Sequence, residues 1–106
     1  MAHFDGKIYD CPFDCFMVVL KGKWRTDLLL ALAAHPCHFR ELQRALSGIS
    51  AKVLTENLRV LERNQLVERR EQENPVGMVE YRLSPEGKQL IQIMEQINRW
   101  VGRCLS

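Results

Sequence analysis

Cysteine is the residue type with the most chemical potential in this 106-residue sequence, which contains Cys11, Cys15, Cys37 and Cys104. Cys11 precedes Pro12, and because proline is favoured at the first position of a helix, Cys11 is expected to occupy the N-cap. Unpaired backbone N–H groups and the helix dipole favour a thiolate there. Cys11 is therefore a candidate redox-sensing thiol, and the alternative is a small, inert capping residue.

The sequence leaves the pairing of these thiols open. In a reducing compartment all four are expected to be free. A disulfide between Cys11 and Cys15 would be strained, because Cβ vectors within one helix run parallel. A bond from Cys11 to Cys15, Cys37 or Cys104 of a second chain is geometrically easier, and the spacing does not select one of them.

Catalytic motifs do not accompany the cysteines. The sequence has no Gly-rich phosphate loop, no nucleophile elbow and no His-Glu zinc helix. Gly22-Lys23 lacks the upstream glycine and the following Ser or Thr of a phosphate loop. We therefore do not expect an enzyme.

A polar helical face is the second feature with chemical potential. Leu54, Leu58 and Leu61 are spaced i, i+4 and i+7, so one face of this helix is predicted to be buried. The other face carries Lys52, Thr55, Glu56 and Arg59. These side chains have no evident packing role and are candidates for contact with a ligand.

The elements that position this face are predicted from periodicity, glycine and proline. The predicted elements, in chain order, are an N-terminal helix over 11–21, a helix over 24–34, a helix-turn-helix over 39–64, a hairpin over 66–83 and a last helix over 84–103. Gly48 can supply a positive φ at the helix-turn-helix corner, where Ile49 fills the angle and Ser50 caps the next helix. The hairpin is expected to turn at residues 73–77. The prediction is one domain, residues 1–106, mainly α (α+β), with a winged helix-turn-helix fold.

A helix that follows such a corner can lie in the major groove of DNA. The residues expected to contact DNA are Arg40, Ser50, Ala51, Lys52, Thr55, Glu56, Arg59, Arg69 and Arg70. Net charge is only +2. The charge is uneven, however, since the segment from Arg40 to Arg70 has seven basic residues and four acidic ones. Double-stranded DNA is therefore the favoured partner, and the alternative is a winged-helix module that contacts another protein through the same face.

The sequence also resembles the HxlR-type winged-helix transcriptional regulators, which are relatives of the MarR group. The resemblance runs from Cys11 to about Trp100. It is carried by Cys11-Pro12, Gly22-Lys23-Trp24, Phe39-Arg40-Glu41-Leu42, Gly48-Ile49-Ser50 with Leu54-Thr55, and Val79-Glu80-Tyr81 with Leu83-Ser84. It implies a homodimeric regulator that binds a palindromic operator through the helix from Ser50, and in some members a cysteine at the position of Cys11 senses redox or electrophile stress.

One segment departs from the family pattern. Family members often have prolines and then an Arg or Lys before the Val-Glu-Tyr strand, whereas this chain has Val76-Gly77-Met78. A basic wing tip is therefore not expected, and contacts from the wing to DNA are assigned to Arg69 and Arg70.

The last helix carries a wide apolar stripe that indicates a dimer. The residues expected at the interface, with those of the first helix, are Phe13, Phe16, Met17, Leu90, Ile93, Met94, Ile97, Trp100, Val101 and Cys104. The alternative is a stripe that faces only the domain's own core. A two-fold pair would place its half-sites about one DNA turn apart, roughly 34–36 Å.

Two further expectations concern location and small ligands. The N-terminus lacks the apolar core of a signal peptide and no segment is long enough to span a membrane, so a cytoplasmic protein is expected. Cys11, Cys15, His35, Cys37 and His38 offer soft ligands, as in metal-sensing winged-helix repressors. No metal or other cofactor is predicted, because no Cys-x-x-Cys knuckle occurs, and a metal-responsive regulator stays an alternative. A small-molecule effector is not specified by the sequence.

Overall fold

The computed structural model describes residues 1–72 and 77–106. The described elements, in chain order, are β1 (Ala2–Phe4), β2 (Lys7–Tyr9), α1 (Pro12–Val19), α2 (Arg25–Ala34), β3 (Cys37–His38), α3 (Phe39–Ala45), α4 (Ala51–Arg63), β4 (Val67–Glu71), β5 (Val79–Leu83) and α5 (Pro85–Cys104). Four helices followed by a hairpin and a long helix confirm the predicted winged helix-turn-helix fold.

The core lies between α2, α3 and α4. The leucines at the predicted buried positions of α4 are 0–2% exposed, and Leu28 of α2 and Leu42 of α3 are fully buried beside them. The hydrophobic period of α4 therefore fixes its rotation, and with it the direction in which the polar face points.

The wing is a three-stranded sheet in the order β3-β5-β4. The hairpin strands β4 and β5 pair antiparallel from Val67↔Leu83 to Glu71↔Val79. The third strand, β3, has two residues and pairs with Tyr81 and Glu80 of β5. Strand β3 was not expected from the sequence, and it joins the wing to the start of α3. The predicted turn at residues 73–77 falls mostly on 73–76, which lie outside the described residues.

An N-terminal hairpin is a second element that was not expected. Its strands β1 and β2 are joined by Asp5 and Gly6, both at positive φ, as a tight hairpin turn requires. Asp5 binds the end of α4: its backbone N–H donates to Asn64 Oδ1 at 2.8 Å, and Arg63 Nε donates to its carboxylate at 2.5 Å. The hydrogen bond from Arg63 lowers the pKa of Asp5.

Helix α5 begins inside the domain and then leaves it. Ser84 caps the helix, Leu90 and Ile91 are buried against the core, and most apolar side chains beyond Ile91 are exposed. The radius of gyration is 14.8 Å, compared with about 13 Å for a compact domain of this length, which fits a projecting helix. None of the helices in residues 1–72 and 77–106 is both long and apolar enough to cross a bilayer.

Candidate nucleic-acid interface

The helix-turn-helix corner has the geometry that its sequence predicts. Gly48 adopts φ +90°, and the backbone N–H of Ile49 donates to Leu46 O at 3.1 Å. Ile49 is 8% exposed and packs into the core. Ser50 Oγ accepts from Val53 N at 3.1 Å, so the predicted cap is confirmed. The corner thus fixes the start of α4 relative to α3.

The polar face of α4 is exposed along the helix. Ala51, Lys52, Glu56 and Arg59 are exposed and Thr55 is partly buried. A positive charge near each end of this face is suited to phosphates or guanine edges, and Thr55 to a base edge or a thymine methyl. The structure thus brings the predicted α4 residues together on one surface.

The basic residues on and beside α4 differ in how free they are to contact DNA. Arg40 on α3 is exposed, as predicted for a DNA-contacting residue. Arg44, one turn further along α3, is also exposed and was not selected from the sequence, although the i, i+4 spacing from Arg40 was a usable signal. Arg63 is bound to Asp5, so part of its charge is neutralised within the chain.

The two wing arginines point to opposite faces of the hairpin. Arg69 and Arg70 are neighbours in β4, and successive side chains of a strand alternate between the faces. Arg69 lies opposite Tyr81 and Arg70 lies opposite Glu80. The wing therefore presents one of these guanidinium groups on each face, and a DNA surface on one face meets only one of them.

The cysteines divide into two exposed and two buried thiols. Cys11 precedes α1 in an extended conformation with an exposed side chain, and Cys104 is exposed at the end of α5. Cys15 and Cys37 are buried. Cys11 lies at the predicted N-cap position, but its side chain makes no capping hydrogen bond.

The predicted dimer residues form a broad apolar surface, with one exception. The large apolar side chains that are 41–64% exposed on α1 and α5 are Phe13, Met17, Ile93, Ile97, Trp100 and Val101. Phe16 and Met94 are partly buried and line a groove of about 390 Å³ between α1, α2 and α5. Leu90 is 8% exposed because it packs into the core of its own chain.

A cluster of metal-ligand types lies away from α4. One ligand atom from each of His35, Cys37 and Glu41 falls within 4.8 Å of the others. The sequence pointed to His35 and Cys37 but not to Glu41, whose position three residues after His38 is typical of helix capping. Glu41 does accept from the backbone N–H of His38 at 2.9 Å.

A glycine corner, an exposed polar helix and an adjoining hairpin define a winged helix-turn-helix protein. Residues 19–106 match the family model described as HxlR-like helix-turn-helix. The HTH-type transcriptional regulator BH0655 of Halalkalibacterium halodurans is 35% identical over 104 residues, which cover 94% of this chain and 92% of BH0655. The chain belongs to the HxlR-like helix-turn-helix family, and it is a DNA-binding transcriptional regulator rather than an enzyme.

Solved structures of two redox-related regulators are similar to this chain. The reduced form of the transcriptional regulator YodB from B. subtilis is 30% identical with a TM-score of 0.81, covering 91% of this chain and 95% of YodB. The redox regulator HypR in its reduced form is 30% identical with a TM-score of 0.77, covering 88% of this chain and 92% of HypR.

Proposed function

We propose that the chain acts as a homodimer that binds a palindromic DNA operator, with α4 in the major groove of each half-site. The observation that carries this proposal is the exposed face of α4, where Lys52, Thr55, Glu56 and Arg59 lie opposite buried leucines. Such a face has no role in packing, and the Gly48 corner presents it rigidly. Arg40 on α3 and the one wing arginine on the DNA-facing side of the hairpin would add phosphate contacts.

Arg59→Ala tests this use of α4. We expect it to weaken operator binding by about 1–3 kcal/mol if Arg59 pairs with a base edge, measured by fluorescence anisotropy on DNA from upstream of the protein's own gene. Arg103→Ala, at the far end of α5, removes the same charge outside the proposed surface and should leave affinity nearly unchanged. Equal affinities for the Arg59→Ala and unmodified proteins would remove Arg59 from the site.

The dimer is supported by the apolar surface of α1 and α5. Exposed aromatic and aliphatic side chains lie on both helices, and Ile97 and Val101 among them line the groove between α1, α2 and α5; exposed apolar surface of this kind marks a protein interface. A second copy of the chain is the expected partner, because a palindrome is bound by a two-fold pair.

Ile97→Glu tests the dimer. Ile97 is 42% exposed in the middle of this surface, so a buried carboxylate at that position would oppose association of two chains. By analytical ultracentrifugation we expect the unmodified protein at twice the 12.4 kDa chain mass and the variant mainly at 12.4 kDa. Gln96→Glu adds the same charge at a neighbouring exposed position without loss of apolar area, and it should stay dimeric. A monomeric unmodified protein would contradict the proposal.

A second candidate function is a response to oxidants through Cys11. Its support is the exposed thiol at the start of α1, which adjoins the proposed dimer surface, and the likeness to YodB and HypR. Two thiols would be oxidised to one disulfide between subunits, while the oxidant accepts two electrons and two protons. Cys104 is the expected partner thiol, because it is the other exposed cysteine.

Diamide treatment tests the sensor. We expect a covalent dimer on non-reducing gels and a change in operator affinity, both lost in Cys11→Ser and in Cys104→Ser. Cys15→Ser removes a buried thiol and should respond like the unmodified protein. If diamide does not change operator affinity, the protein is still a DNA-binding regulator, but the proposed oxidant response through Cys11 is wrong.

A further inference from the structure

We propose that His35, Cys37 and Glu41 form a binding site for one divalent metal ion of the zinc type, where α2, β3 and α3 meet. A thiolate, an imidazole and a carboxylate are all established zinc ligands. The site is distinct from the α4 surface and from Cys11, so it does not depend on the function proposed above.

The three groups are already close to coordination geometry. His35 Nδ1 and Cys37 Sγ are 3.6 Å apart, and ligand atoms of all three residues lie within 4.8 Å of one another. Metal–ligand bonds of about 2.0–2.3 Å at tetrahedral angles place ligand atoms roughly 3.3–3.8 Å apart. The cluster would therefore need a contraction of about one ångström at its widest pair.

His35 would bind the metal through Nδ1, the ring nitrogen that lies 3.6 Å from Cys37 Sγ. The same Nδ1 lies 2.8 Å from Pro36 O, and a carbonyl oxygen can only accept, so in the metal-free protein this nitrogen donates to Pro36 O. Metal binding would therefore replace this hydrogen bond, with the ring proton on Nε2 instead. His38 is turned away from the cluster, with its Nδ1 3.0 Å from Val79 O.

The electrostatic surroundings of Cys37 favour a bound cation. The carboxylates of Glu41 and Glu80 place negative charge near this thiol. The protonated thiol donates to His35 O at 3.3 Å. A divalent ion would bind the thiolate and release the thiol proton to solvent, and the same two carboxylates would attract the ion. Other charged or titratable groups that face the site in the described residues are Arg44 and His38 of the same segment, Tyr81 opposite Cys37 on β5, and, on the other side of His35, Arg82, Lys88 and Glu95.

Access to the site is open. Cys37 and Glu41 line a surface depression of about 370 Å³, together with His35 and Arg44. A metal ion can reach the thiol from this side, and a water molecule can take the fourth position of a three-ligand site. Because β3 pairs with β5, a bound ion would also fix the wing against the α2–α3 connection.

Cobalt titration tests the site without DNA. The probe is Co²⁺ added to the reduced, full-length Cys11→Ser/Cys104→Ser protein, which lacks the two exposed thiols that could bind metal elsewhere. We expect one Co²⁺ per chain, a thiolate-to-cobalt charge-transfer band, and loss of that band when Zn²⁺ is added. Cys37→Ser should abolish the band, and Cys15→Ser, which removes the other buried thiol, should keep it.

Substitution of the buried Cys37 could disturb folding, so two variants of the other ligands test the site separately. His35→Ala changes an exposed residue, and Glu41→Gln keeps an oxygen that can still cap α3. Each should lower Zn²⁺ affinity by at least about tenfold, since even outer-shell changes cost about 10–100-fold. His3→Ala, at an exposed histidine of the N-terminal hairpin, should leave affinity unchanged. Absence of the band, a band that survives Cys37→Ser, or unchanged affinity in either ligand variant would overturn the proposal.

Discussion

Leu58→Ala is expected to lower the free energy of unfolding by about 2–5 kcal/mol, the largest effect anticipated for a single substitution in this chain. Leu58 is 2% exposed in the middle of α4, between Leu54 and Leu61, which are fully buried. Alanine would leave a cavity that the surrounding helices can fill only in part. Since domains of this size are stable by roughly 5–15 kcal/mol, the loss is a large fraction of the total. Urea denaturation followed by circular dichroism measures it.

Arg59→Ala is the matched control for Leu58→Ala, because the two residues are neighbours in α4 and only Leu58 is buried. The arginine variant should unfold within about 0.5 kcal/mol of the unmodified protein while losing DNA affinity. A Leu58→Ala protein that is fully stable but binds DNA weakly would contradict this assignment. It would mean that Leu58 faces the DNA and that the opposite side of α4 is buried.

Gly87→Ala should destabilise the domain by about 1–3 kcal/mol or more, for the opposite reason. A methyl group at Gly87 would clash with the backbone carbonyl oxygen of Leu66, and it would lie 3.2 Å from Leu83 Cδ2. Backbone cannot move away cheaply, because Leu66 O also accepts from the backbone N–H of Ser84 at 3.1 Å. Thermal unfolding of the reduced protein should show a lower midpoint.

Gly102→Ala provides the control for Gly87→Ala within the same helix. A methyl group there has nothing within 4 Å, so the higher helix propensity of alanine should stabilise α5, by up to about 1 kcal/mol. If both variants shifted the midpoint in the same direction, close packing of α5 against the backbone of Leu66 could not be the reason for glycine at residue 87.

The longer elements were predictable because their side chains repeat over several turns. Leu54, Leu58 and Leu61 specify both the existence and the rotation of α4, and Gly48 and Ser50 mark its start by backbone geometry and capping. Helix ends were less certain: α1 ends at Val19, two residues before the predicted boundary at 21. Terminal turns contribute few buried side chains, so the hydrophobic pattern does not define them.

The short strands were missed because two or three residues cannot show a period. Strands β1 and β2 had one usable signal, the Asp5-Gly6 pair, which favours a two-residue hairpin turn. Strand β3 had none, since Cys37 and His38 become a strand only through pairing with β5. The sequence named His35 and Cys37 as possible metal ligands, but it did not indicate that Glu41 lies beside them.

The wing shows how sequence order can mislead about a surface. Arg69 and Arg70 form a basic pair in the sequence, but strand geometry separates their side chains onto two faces. Similarly, Leu90 continues the apolar stripe of α5 yet is used inside its own chain. Which part of a periodic face stays exposed depends on where the neighbouring helices end, and local sequence does not contain that information.

A salt titration of operator binding tests the central proposal most directly. Reduced protein would be titrated onto DNA from upstream of its own gene between 50 and 200 mM salt, with anisotropy as the readout. A dimer that neutralises roughly 6–10 phosphates should lose about 10³–10⁵ in affinity over this range, because each contact releases counterions. Weak binding with a shallow salt dependence, once operators elsewhere had been tested, would contradict DNA recognition by α4 and favour a protein partner for the same face.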